Sequence, residues 1–138
     1  MIVKDVMTRN PVYVTVETPI REVMRKLYEK DIRHLPVLED DDLVGIVSDR
    51  DIRAYTWPLM MEEEAGETYK SPELDGPVST VMRSDVISVQ PDSEIVEVID
   101  MMVENKVGAV PVVDAAEGRL IGIVSYVDIL REGREFFV

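Results

Sequence analysis

LVGIVSDRDI, Leu43 to Ile52, returns as LIGIVSYVDI, Leu120 to Ile129, with seven of the ten positions identical. Aligning Gly45 with Gly122, with the second copy's turn (Asp114 to Arg119) two residues longer than the first's, also brings HLPVL (His34 to Leu38) onto AVPVV (Ala109 to Val113). A period this long marks a duplicated unit. LVGIV reads as a buried strand that ends at Ser48 and turns straight into a helix beginning near Asp51. Strand ends of this kind are where ligands sit.

Working outward, MIVKDVMT (Met1 to Thr8) matches VSTVMRSD (Val78 to Asp85), with Met7 on Met82, as a short lead-in to each repeat. Beta-rich VYVTV (Val12 to Val16) and VISVQ (Val86 to Gln90) follow. Thr18 is then placed to cap a helix with Pro19 in its first position, and Ile20, Val23, Met24, Leu27 and Tyr28 form an apolar stripe at helical spacing. Its counterpart is Ser93 followed by Ile95, Val98, Ile99, Met102 and Val103. Two strands joined by a turn and a closing helix complete each unit, in the order β-α-β-β-α. The fold class is therefore α/β of the α+β type, two tandem motifs at 1–53 and 78–138 joined by an acidic connector at 54–77. The connector, Ala54 to Pro77, is expected to begin as helix, break at Pro58 and cross the surface as a linker. Trp57, Met60 and Met61 are read as packing on their own domain, with a partner-binding patch as the alternative.

At 138 residues and 46% apolar content, the chain can bury one ordinary core. Each repeat has only about fifty residues, near the size at which burial becomes marginal, so the two copies are expected to pack on each other. No run of apolar residues is long enough for a membrane span and no signal-type leader is present, which implies a soluble cytoplasmic protein. With no cysteine and one histidine, disulfides, thiolate catalysis and Cys- or His-cluster metal sites fall away. A net charge of −13 repels a phosphate backbone and argues against nucleic acid as a partner. The acidic turn EDDD (Glu39 to Asp42) lacks the spaced ligands and glycine of a calcium loop and reads as a solvated hairpin tip; no metal site is expected.

Ser48 and Asp51, like Ser125 and Asp128, form S-x-x-D where a strand runs into a helix. One reading is a helix cap with an acid in the first turn. The other is an anion-receptive helix start, its free N–H groups and hydroxyl facing a phosphate while the acid holds ribose hydroxyls. The sequence leaves both open. Gly45 and Gly122 permit close packing beside such a site.

With its M-T lead-in at Met7-Thr8, its hPV strands Leu35-Pro36-Val37 and Val110-Pro111-Val112, and its junctions Gly45 to Asp51 and Gly122 to Asp128, the chain resembles a cystathionine-β-synthase (CBS) domain pair. Only the connector lies outside the likeness. The resemblance implies a free-standing, pseudo-twofold module whose two clefts accept AMP, ADP, ATP or S-adenosylmethionine as a regulatory ligand, with no cofactor required. It implies that Asp51 and Asp128 bind ribose and that Ser48 and Ser125 help with phosphate. The base would be embraced near Leu35 and Val110, and basic residues before the hPV strand would face phosphate. It also implies a homodimer formed through amphipathic helices.

The two copies differ at these positions. The first has Arg33 and His34 before the strand and Arg50 inside S-x-x-D, where the second has Gly108, Ala109 and Val127. Arginine suits bidentate phosphate contacts, so the clefts are expected to be unequal. Tyr126, opposite Asp49, is a candidate for stacking on a base or covering the cleft. The leading function is a non-catalytic sensor that signals occupancy to an unidentified protein target. The alternative is an interaction protein with degenerate clefts, acting through its linker or the tail REGREFFV (Arg131 to Val138). An enzyme is disfavoured because no nucleophile-base pair, metal cluster or Walker-type loop is visible.

Overall fold

The computed structural model describes residues 1–62 and 70–138. In chain order its elements are β1 (Thr8–Arg9), β2 (Val14–Thr15), α1 (Ile20–Glu29), β3 (His34–Glu39), β4 (Asp42–Ser48), α2 (Asp49–Glu62), α3 (Ile95–Asn105), β5 (Ala109–Val113), β6 (Leu120–Ser125) and α4 (Tyr126–Gly133). The mixed α/β architecture expected from the repeat is present: among the described residues, one sheet runs β2-β3-β4 and the other β1-β6-β5.

The chain packs as two units, Val12–Val86 and Met1–Pro11 together with Ile87–Val138. In the first, β2 lies parallel to β3, and β3 antiparallel to β4 with His34 opposite Ser48. Val14, Ile20, Val23, Leu35, Val37 and Val47 fill its core. Each such side chain contributes about 1.5–3 kcal/mol of burial. In the second unit β5 and β6 pair antiparallel, Ala109 lies opposite Ser125, and the strand expected before α3 is reduced to a single parallel bridge, Val89 to Val112.

Each unit is completed by the lead-in of the other repeat. Val78, fully buried, donates to the Thr18 carbonyl at 2.8 Å and belongs to the Val12–Val86 core. Arg83 exchanges two backbone hydrogen bonds with Ile46 of β4, at 2.8 and 3.0 Å. Correspondingly, Val3 and Val6 enter the core beneath α3, and β1 pairs with β6. The repeat in sequence and the unit in space are thus different divisions of the chain.

This exchange explains the helix starts. Thr18 does not cap α1, because its hydroxyl accepts the Thr15 N–H at 3.1 Å and closes the preceding turn; Ser93 does the same for the Gln90 N–H. The first helical N–H groups go instead to carbonyls from outside the helix, Ile20 to Gly76 at the end of the connector at 2.9 Å and Ile95 to Met1 of the lead-in at 3.0 Å. That satisfies donors a helix cannot satisfy itself.

The connector departs from expectation at both ends. Helix α2 continues through Pro58 to Glu62 rather than breaking there. Ile52, Thr56 and Leu59 recur on one face and pack inward, which places Trp57, Met60 and Met61 on the other; these three are exposed, not packed on the domain. At the far end a 3-10 turn, Pro72–Asp75, buries Leu74 in the core, and Arg21 of α1 holds the Asp75 carboxylate at 3.1 Å and the Ser71 carbonyl at 3.2 Å. The middle of the connector lies outside the described residues. The EDDD turn is an exposed two-residue hairpin with Asp40 and Asp41 both left-handed, the geometry that matches strand twist.

Candidate functional site

Both strand-to-helix junctions fold into the same hydrogen-bonded box. At the first, Oδ2 of Asp51 accepts the Ser48 N–H and hydroxyl, each at 2.9 Å, while the Asp51 N–H donates to Ser48 Oγ at 3.1 Å. At the second, Asp128 Oδ2 accepts from Ser125 at 2.9 and 3.0 Å, and its N–H returns to Ser125 Oγ at 3.2 Å. The capping reading is therefore realised in both copies. It leaves the other carboxylate oxygen, Oδ1, off the cap.

Neighbouring backbone fixes the box to the strand beside it. Asp49 N–H donates to the Arg33 carbonyl at 2.9 Å, and Tyr126 N–H to the Gly108 carbonyl at 2.9 Å. The residue before each hPV strand is thereby tied to the first helical turn. Sequence reasoning grouped Arg33, His34, Ser48, Arg50 and Asp51; the hairpin register and this hydrogen bond bring their backbones to one end of the sheet. Arg33 and Arg50 are exposed, His34 is half-buried, and Tyr126 stands partly out in solvent. Leu35 and Val110 are fully buried in their units' cores, so these positions offer a ligand backbone rather than side chain.

His34 is held below the ordinary histidine value, chiefly by burial. The carboxylates of Asp49 and Asp51 oppose that shift, and the Arg33 charge adds to it. The imidazole is thus a neutral donor and acceptor at neutral pH.

One residue near the site went unnoticed in the sequence. Arg83, at the position matching Thr8, places Nε 3.8 Å from Asp51 Oδ1. In the other junction Asp128 Oδ1 meets Arg131 of its own helix at 3.5 Å. The unequal pairing of Met82-Arg83 with Met7-Thr8 was the available signal. No group of three or more acidic or histidine side chains suited to a metal ion occurs among the described residues.

A family model for the CBS domain matches residues 3–57 and 78–135. The chain belongs to the CBS domain family. It is 30% identical over 131 residues to a CBS domain-containing protein of Dictyostelium discoideum, covering 94% of this chain and 89% of that one. It is also 33% identical over 130 residues to the inosine-5′-monophosphate dehydrogenase of Thermoplasma acidophilum, but spans only 22% of that enzyme's length. Among solved structures, CBSX2 in complex with AMP superposes with a TM-score of 0.78 at 27% identity, covering 99% of this chain and 98% of that one. The CBS domain pair of protein MJ0100, in complex with 5′-methylthioadenosine and S-adenosyl-L-methionine, gives 0.78 at 27%, covering 96% and 98%. Those two CBS pairs bind adenosine-containing ligands. No helix among the described residues is long and apolar enough to cross a membrane.

Proposed function

We propose that this chain is a non-catalytic regulatory module that binds an adenosine-containing ligand, AMP, ADP, ATP or S-adenosylmethionine, at its two strand-to-helix junctions. The observation that carries this reading is the duplicated Ser/Asp box, which leaves one carboxylate oxygen of Asp51 and of Asp128 off the cap. That oxygen is an acceptor for ribose hydroxyls, next to a helix start whose N–H groups favour phosphate. The AMP and S-adenosylmethionine complexes of the two similar CBS pairs support the ligand class. Ser48 and Ser125 contribute to the phosphate side, as do Arg33, His34 and Arg50 at the first junction; Tyr126 covers the second. The module works in the cytoplasm and passes occupancy to a protein target.

The same reading includes a homodimer. Tyr28 of α1 and Val96, Ile99 and Val103 of α3 are apolar or aromatic yet exposed, so the helical stripes are wider than each unit's own core consumes. Sedimentation should give twice the chain mass; a concentration-independent monomer would reject the dimer.

Thermal unfolding tests the ligand reading. A ligand at a hundred times its dissociation constant should stabilise the fold by about 2.7 kcal/mol, a rise of several degrees. Absence of any shift with AMP, ATP and S-adenosylmethionine would instead favour an interaction protein. The exposed Phe136 and Phe137 of the tail and Trp57 of α2 are what support that second reading.

A further inference from the structure

Asp51 and Asp128 are equivalent in the repeat but not in what holds their second oxygen. In each, Oδ2 is committed to the helix cap. Oδ1 of Asp51 faces Nε of Arg83 at 3.8 Å, and Arg83 is anchored through its backbone to Ile46 by hydrogen bonds of 2.8 and 3.0 Å. The backbone of Arg83 therefore stays beside β4, while its side chain is 48% exposed. Thr8 occupies the matching place beside β6, and Oδ1 of Asp128 pairs with Arg131 of its own helix.

We infer that Arg83 is a specificity-determining residue of the Asp51 site, one that favours phosphorylated adenosyl ligands over unphosphorylated ones. The inference rests on the ribose-binding role given to Asp51 above. A ribose hydroxyl that donates to Oδ1 competes with the guanidinium for it. A neutral nucleoside leaves the displaced cation without a partner. A phosphate gives it a charge-assisted, bidentate one, and the freed side chain then adds to the field of Arg33 and Arg50. Arg53 does not compete for Asp51, since it pairs with Asp49 at 3.6 Å. At the Asp128 junction Thr8, Gly108 and Val127 add no cation from outside the helix, and the guanidinium on Oδ1 is that of Arg131, one turn into α4, so the role of Arg83 is tested at the first site alone.

The test compares AMP with adenosine by calorimetry on the full chain, in an Asp128→Ala background that silences the second site. Arg83→Gln should weaken AMP about tenfold or more, the loss of a charge-assisted contact. It should also strengthen adenosine about two- to fivefold, because a half-exposed ion pair no longer competes. Arg83→Lys, which keeps the charge, should retain most of the AMP preference. Thermal unfolding reports whether each variant is folded, and a merely structural Arg83 would move both affinities together. An unchanged AMP-to-adenosine ratio in a protein that binds both overturns this inference and leaves the nucleotide reading standing. Failure of the unsubstituted protein to bind either ligand overturns both.

Discussion

His34 begins β3 directly across from Ser48, and its environment sets a sign for pH dependence. Its folded-state value lies below 6.5, through burial first, with Arg33 in support and Asp49 and Asp51 in opposition. As pH falls below 6.5 the unfolded chain takes up the proton before the folded one does, so stability is full above that value and erodes beneath it. Denaturant midpoints measured from neutral pH downward should show this slope, and His34→Gln should flatten its share of it. A slope unchanged in the variant would place the titration elsewhere.

At the same scale, Gly45 and Gly122 are required by methionines of the lead-ins. A Cβ on Gly45 would stand 2.6 Å from Met82 Sδ and 2.9 Å from the Arg83 carbonyl; on Gly122, 2.7 Å from Met7 Sδ and 3.1 Å from the Thr8 carbonyl. A thioether can swing aside, but the Arg83 carbonyl is held by its bond to Ile46. Gly45→Ala should cost about 1–3 kcal/mol in urea unfolding, and more than Gly122→Ala. Equal costs would mean that the sulfur alone limits the space.

At the scale of elements, helix ends carry most of the departures from expectation. Lys106 closes α3 in the left-handed region at φ 55°, where a side chain other than glycine is strained. Lys106→Gly should therefore stabilise by up to about 1 kcal/mol, the relief of that strain less the extra freedom gained by the unfolded chain. A loss of stability would show that the lysine side chain has a compensating contact. The hairpin strands β3, β4, β5 and β6, the stripes of α1 and α3 and the EDDD tip were legible in the sequence because periodicity and turn chemistry are local properties, whereas VISVQ forms a single bridge and β1 lies in what reads as a lead-in. Thr18 and Ser93 misled because the same hydroxyl that caps a helix can close the turn before it, and the carbonyls of Gly76 and Met1, distant in sequence, take the first helical N–H groups instead. Pro58 misled similarly, since the packing of Ile52 and Leu59 outweighs a local preference to break. Ser48, Asp51, Ser125 and Asp128 were legible as a motif, but Arg83 was not, because its approach depends on a segment distant in sequence.

At the scale of the whole molecule, the exchange of lead-ins has a direct experimental consequence. Residues 78–138 contain all of the second repeat, yet lack Val3, Val6, β1 and the Met1 carbonyl that receives the Ile95 N–H. Expressed alone, that fragment should melt without a cooperative transition, and a peptide of residues 1–11 added in trans should restore one. Sharp unfolding of the fragment without the peptide would contradict the structural role given to the lead-in.

Calorimetry of AMP and S-adenosylmethionine against the unsubstituted chain, Asp51→Ala and Asp128→Ala addresses adenosyl binding most directly. Each substitution removes a cap, which costs about 1 kcal/mol and leaves the protein folded. Each should also abolish binding at its own junction and spare the other, with the loss of AMP affinity greater for Asp51→Ala because the nearby arginines cluster there. Binding of both ligands by both variants as tightly as by the unsubstituted chain would show that these carboxylates are caps and nothing more.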